Sequence, residues 1–181
     1  MKTIAIHTNN QPEFDRELIA GLPASGPRYT SYPTADRFHN GLGALNKPLS
    51  LYIHIPFCNT ICYYCGCNKI ITKDKSRADA YIEYLEREMD LLAPHLNGRH
   101  QLAQLHFGGG TPNFLSPTQL GEVVEALRSQ FRFSNAADRD ISIELDPRFV
   151  DADDIAALAR IGFNRASFGV QDFDPAVQEA V

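Results

Sequence analysis

The chain has 181 residues, 44% of them apolar and 22% charged, with a net charge of −5. That length supports one domain with a sizeable core, and a modest negative charge aids solubility while offering no nucleic-acid surface. No apolar run approaches the ~20 residues that span a bilayer. The first residues turn acidic early and carry no long apolar stretch, so they are not a secretory signal and the cytoplasm is the expected compartment.

Residues 1–50 read as an irregular N-terminal arm, punctuated by Gly21, Pro23, Gly26, Pro27, Pro33, Gly41, Gly43 and Pro48, with room for one short helix near Glu13–Ala20. From Leu51 the pattern becomes regular. Leu51–Phe57 alternates apolar and polar and predicts a strand. A cysteine loop follows, then a helix over about Ser76–Leu96, with Ala78, Ile82, Leu85, Met89 and Leu92 on one stripe. A second strand covers about Leu102–Phe107 and runs into Gly108, Gly109 and Gly110. Ser116-Pro117-Thr118-Gln119 is a capping box with proline at the first helical position, and its helix buries Leu120, Val123, Val124, Leu127 and Phe131. Asp140–Leu145 is a third strand. Asp151 caps a third helix, with Ile155, Leu158 and Ala159 inward and Gly162 as its stop; Arg165–Gln171 is a fourth strand.

Strands alternating with helices through short loops predict an α/β fold with a parallel sheet. Parity refines this. Leu51, Ile53, Ile55 and Phe57 oppose Tyr52 and His54; Ile141, Ile143 and Leu145 oppose Ser142 and Glu144; Ala166, Phe168 and Val170 oppose Ser167, Gly169 and Gln171. The second strand is less clean, with His106 taken as its one polar residue on that face. A doubly wound sheet wants both faces apolar. One apolar and one polar face suits a TIM-like barrel whose interior holds polar ligands, with its site at the carboxyl ends of the strands. The cysteine loop, the glycines, Glu144 and Gln171 all fall at those ends.

All four cysteines, Cys58, Cys62, Cys65 and Cys67, lie within ten residues. A disulfide framework would spread them apart, so the cluster reads as a metal or redox site. The first three are spaced C-x3-C-x2-C, which lets a short loop wrap three corners of a cuboidal 4Fe–4S cluster, one thiolate per iron. A zinc site would want a second cysteine pair about 12–20 residues away. A redox pair Cys62-x-x-Cys65 would need neither Cys58 nor Cys67. The cluster explains more of the spacing than either.

The spacing resembles that of the radical S-adenosylmethionine superfamily. Tyr52-Ile-His-Ile-Pro-Phe-Cys58, the Cys67-Asn-Lys continuation, Pro27–Thr34, His106–Pro112, Ile143–Pro147 and Gly169–Phe173 together resemble oxygen-independent coproporphyrinogen III oxidases. The resemblance implies a partial radical SAM barrel over 51–181, with about four strands present. It also implies that the remaining barrel and a C-terminal domain of the longer family lie outside this sequence. By resemblance, Cys58, Cys62 and Cys65 bind the 4Fe–4S cluster, and Cys67 matches a fourth cysteine outside the ligand set. Tyr52, Tyr64, Gly108, Gly109, Gly110 and Thr111 would contact S-adenosylmethionine, the glycine backbone amides binding its methionine end. Glu144 would accept from its ribose hydroxyls, and Gln171 would lie near a second S-adenosylmethionine. No residue is singled out as catalytic, and His54 and His106 read as packed strand residues. The implied activity is decarboxylation of coproporphyrinogen III propionates to vinyl groups by a 5′-deoxyadenosyl radical, in a monomer served by flavodoxin or ferredoxin, with neither nucleic acid nor membrane as partner. The alternatives are a haem carrier of the same superfamily, which the cysteine at position 67 disfavours, and a zinc or scaffold module.

Overall fold

A computed structural model describes residues 48–63, 65–95 and 101–180, all within the compact unit Leu42–Val181. The helix expected near Glu13–Ala20, the Pro27–Thr34 segment and Tyr64 lie outside the described residues. The elements in chain order are β1 (Leu49–Ile55), β2 (Phe57–Cys58), β3 (Ile70–Ile71), α1 (Arg77–Leu92), β4 (Gln101–Gly109), α2 (Pro117–Gln130), β5 (Arg132–Phe133), β6 (Asp140–Leu145), α3 (Ala152–Ile161), β7 (Arg165–Phe168) and α4 (Pro175–Ala180). Single 3-10 turns follow α1, β4 and β6. Among the described residues no helix is long and apolar enough to cross a membrane.

The main sheet is parallel, in the order β1-β4-β6-β7, with β5 pairing to the start of β4. Each long strand lies beside its predecessor, always on the same side. That is how a barrel grows, whereas a doubly wound sheet reverses its order midway. The α/β expectation and its barrel-type progression therefore hold for the described strands.

The first strand has the expected length but lies two residues earlier, over Leu49–Ile55, so it starts inside the arm assigned to residues 1–50. Pro56, which has no N–H to give to the ladder, separates β1 from β2. β2 then pairs with β3 in a small sheet of its own. Ile70 N donates to Pro56 O at 2.7 Å and Thr72 N to Cys58 O at 2.9 Å, so the cysteine loop is closed at its base. α1 ends at Leu92 rather than Leu96, because Pro94 cannot donate back to the preceding turn. Ala78, Ile82 and Leu85 are buried and Met89 packs beside them, but Leu92 is 44% exposed.

α2 follows the sequence closely. Ser116 Oγ accepts from Gln119 N, the Gln119 side chain returns to Ser116 N, and all five predicted apolar residues are buried. α3 has the same reciprocal cap between Asp151 and Asp154, and Gly162 ends it at φ +118°. Its inward face differs from the expectation. Leu158 is buried and Ile161 packs on the core, but Ile155 is 40% exposed and Ala159 is exposed too. α3 packs against α2 through its Ile161 side, close to Gly121, and the Ile155 side turns to solvent.

The fourth strand ends at Phe168, not Gln171. Val170 N donates to Phe168 O and Asp172 N to Val170 O, two tight turns that break the extended run, and Gln171 adopts φ +68°. The core lies between the sheet and α1, α2 and α3, built from Ile53, Ile55, Leu105, Phe107, Ile141, Ile143, Leu145, Leu120, Val123, Val124 and Leu127 among others. The opposite face carries Tyr52, Gln104, His106, Ser142 and Arg165, aligned by the register Tyr52↔His106↔Ser142↔Arg165. Gln104 joins His106 there, accepting from Ser50 Oγ, so β4 has more than one polar residue on that face.

Candidate active site

At the carboxyl ends of β4 and β6 the chain opens a cavity of about 630 Å³. Cys58, Cys62 and Cys65 line it from one side, Gly109, Gly110 and Thr111 from the base, and Glu144 and Gln171 from the other side. Eight of the residues expected at the site are thus brought together. Tyr52 and Gly108 sit one layer deeper, in contact: a Cβ on Gly108 would stand 3.0 Å from Tyr52 Cε2, His106 Nε2 and Glu144 Oε2. Tyr64 lies outside the described residues.

The glycine run serves packing as well as access. A Cβ on Gly109, where φ is +117°, would stand 2.7 Å from the His54 ring. One on Gly110 would meet Phe57 O at 2.7 Å and Cys58 Sγ at 2.9 Å. Its amides are also spoken for. Gly109 N donates to Glu144 Oε2, Gly110 N to Ile55 O and Thr111 N to Phe57 O. This corrects the expectation that those amides face a ligand, because the chain itself already supplies their acceptors.

The cysteine loop is held by its own backbone. Cys65 N donates to Cys62 O and Lys69 Nζ to Cys65 O, both at 3.1 Å. Thr111 Oγ1 donates to Cys58 Sγ at 3.4 Å, which links the glycine loop to the first thiol. Burial pushes the Cys65 thiol up, but the Cys67 amide and thiol and the Lys69 ammonium outweigh it and hold Cys65 below the ordinary cysteine value. Cys67 moves the other way, raised by burial, by its hydrogen bond with Cys65 and by nearby negative charge.

Among the described residues no three His, Cys, Asp or Glu side chains converge tightly enough to hold one metal ion. A tetrahedral zinc site, with ligands about 2.3 Å from one centre, asks for that convergence. A cuboidal cluster does not, because each thiolate binds a different iron. Three thiols around one cavity, with a glycine cradle that a single Cβ would fill beside Cys58, suit a cuboidal cluster.

Glu144 has close partners. His106 Nε2 lies 3.3 Å from its Oε1 and Gly109 N 3.2 Å from its Oε2. His106 Nδ1 reaches Ser142 Oγ at 2.8 Å. Tyr52 stacks on the His106 ring at 5.8 Å between centroids and shares a hydrogen bond with His54 Nδ1 at 3.1 Å. His54 Nε2 meets Asn68 O at 2.8 Å, joining β1 to the far end of the cysteine loop. Burial first, and then the negative charge of Glu144, hold the Tyr52 phenol above its usual pKa, so it stays protonated. His54 and His106, read from sequence as plain packing residues, are therefore part of this polar layer. Asp146 and Arg148, which also line the cavity, were not anticipated. An acid and an arginine flanking Pro147 were the available signal. Arg148 Nη2 donates to Asp146 Oδ2 at 2.8 Å, and Asn113 fixes the turn by accepting from Asp146 N and donating to Asp146 O.

Residues 52–181 match the Radical SAM superfamily. The chain belongs to the radical SAM superfamily. Membership implies a 4Fe–4S cluster and S-adenosylmethionine, the two groups that the cavity's donor set suits. Among its relatives, the oxygen-independent coproporphyrinogen III oxidase of Pseudomonas aeruginosa is 49% identical over 93% of this chain and 39% of its own length. That of Escherichia coli is 47% identical, over 94% and 39% respectively. The solved coproporphyrinogen III oxidase of Escherichia coli, described as a radical SAM enzyme, matches with a TM-score of 0.74 at 43% identity, covering 93% of this chain and 39% of that one. The chain thus spans about two fifths of the length of these radical SAM relatives.

Proposed function

We propose that this chain is the cofactor-binding part of an oxygen-independent coproporphyrinogen III oxidase acting in haem biosynthesis in the cytoplasm. The observation that carries the reading is the single cavity that collects three cysteines, the glycine run and Glu144 at the strand ends. Cys58, Cys62 and Cys65 would hold the cluster, leaving Cys67 as a neighbour. When bound, the cluster and S-adenosylmethionine would supply the one-electron chemistry for decarboxylating a propionate side chain to a vinyl group, with loss of carbon dioxide.

The chain's own residues bind, orient and exclude. Glu144 accepts from the ribose hydroxyls of S-adenosylmethionine. Tyr52, a neutral phenol, packs beneath Gly108. Gly108, Gly109, Gly110 and Thr111 would bring backbone close to the methionine end of the cofactor. Tyr64 would flank the adenine, and Gln171 would serve a second S-adenosylmethionine. An N-terminal arm and a radical SAM core that opens with β1 at Leu49 form the two parts, the working protein is a monomer, and flavodoxin or ferredoxin delivers electrons. A haem carrier is not favoured, since the relatives above bear oxidase names.

Anaerobic reconstitution tests the reading. The chain should take up about four irons and four sulfides, and the full-length protein with reductant should release 5′-deoxyadenosine and protoporphyrinogen. Zinc in place of iron, or no 5′-deoxyadenosine from the full-length protein, would overturn it.

A further inference from the structure

We propose that Ser142 and His106 form a support that aims the Glu144 carboxylate, which makes His106 a positioning residue for the ribose hydroxyls of S-adenosylmethionine. This rests on Glu144 being the ribose-binding carboxylate.

The argument is a count of protons. An ionised carboxylate only accepts, so the proton between His106 Nε2 and Glu144 Oε1 must sit on Nε2. A neutral ring protonated on Nδ1 would turn a lone pair toward the carboxylate instead. The carboxylate disfavours that option, since a bare Nε2 would face Oε1 lone pair to lone pair, and Ser142 suits both of the forms that remain. Its hydroxyl donates to a bare Nδ1 at 2.8 Å, or turns to Leu105 O at 3.3 Å and accepts from Nδ1–H of an imidazolium. Either way Nε2 keeps its proton. Ser142 is buried, so solvent does not compete strongly for the hydroxyl.

The other contacts fix the rest. Tyr52 holds the ring by its face, and β4–β6 pairing sets His106 opposite Ser142. Gly108 leaves the space in which ring and carboxylate meet, since a Cβ there would crowd both at 3.0 Å. Gly109 N ties the second carboxylate oxygen. Each oxygen has two lone pairs and gives one to the protein, leaving one apiece for a pair of neighbouring hydroxyls. An untethered carboxylate turns freely about its last torsion and would lose that freedom on binding.

The test is equilibrium dialysis of the anaerobically reconstituted chain with S-adenosylmethionine and with its analogue lacking the 2′- and 3′-hydroxyls. His106→Phe keeps a ring against Tyr52 but removes both nitrogens. It should weaken S-adenosylmethionine binding about tenfold, leave iron content unchanged and leave the analogue's affinity unchanged. His106→Gln, which returns an N–H near the Nε2 position, should restore most of the loss. Equal weakening of both ligands, no weakening at all, or no rescue by His106→Gln would overturn the proposal. If His106→Phe does not fold, Ser142→Ala should show a loss of about threefold confined to S-adenosylmethionine, and no loss there overturns it. Glu144→Gln separates the two levels. If it fails to weaken S-adenosylmethionine relative to the analogue, the ribose assignment falls and this proposal with it. If it weakens binding while His106→Phe does not, only the support role falls.

Discussion

Gly110 sits where the glycine loop crosses the first cysteine, with Phe57 O and Cys58 Sγ both inside the distance a Cβ would keep. Gly110→Ala must push either backbone or the thiol aside. The expected outcome is at least a halving of iron and sulfide bound per chain after reconstitution, with an unchanged far-ultraviolet circular dichroism spectrum. Full cluster content would show that the crowding is absorbed elsewhere. Asp146 offers a pH-resolved test. Burial would raise its carboxyl, but the Arg148 side chain and amide outweigh burial and hold it below the usual carboxylate value. A depressed folded pKa stabilises above the unfolded value of about 3.9 and loses that contribution as pH falls through the folded value. Asp146→Asn should therefore cost about 0.5–1 kcal/mol at neutral pH, the modest figure suited to an exposed guanidinium partner. Urea unfolding should show the gap narrowing as pH falls below about 4.

Among the elements, α2 and α3 are both opened by reciprocal caps, and both signals were legible because a cap is made by residues three apart. Ser116→Ala and Asp151→Ala should each cost about 1 kcal/mol in urea unfolding. The apolar stripes were legible to different degrees. α2 buries every residue its periodicity named, because it is packed between the sheet, α1 and α3. α3 does not, since periodicity gives a spacing but leaves the phase of the face open by one residue. Leu158→Ala should cost about 2–4 kcal/mol, and Ile155→Ala, at a 40% exposed position, less than about 1 kcal/mol. Similar losses at both would mean that Ile155 is buried after all.

For the whole molecule, the decisive arrangement is a parallel sheet that adds strands in one direction and gathers its loops at one end. The cysteine loop is anchored there through β2–β3, through Thr111 on Cys58 and through His54 on Asn68. A cluster bound across that loop ties native contacts that an unfolded chain lacks, so it stabilises by binding the folded state alone. Removing iron with a chelator should lower the urea midpoint of the whole chain, and the combined Cys58→Ala, Cys62→Ala, Cys65→Ala variant should show no such drop. An equal response from that variant would place the metal elsewhere.

The amino-acid order by itself determined the alternation of strands and helices, the caps, the polar and apolar faces of β1 and β6, and the cysteine cluster, because each is written in residues within a few positions of one another. Only the tertiary structure decided that His106, Ser142 and Glu144 share one hydrogen-bonded group, that the glycine amides are taken by β1 and Glu144, and that Asp146 and Arg148 reach the cavity. His106 and Ser142 stand 36 residues apart. Whether such residues meet depends on strand register and on which strands are neighbours, and register is a property of the packed sheet rather than of any local run of sequence.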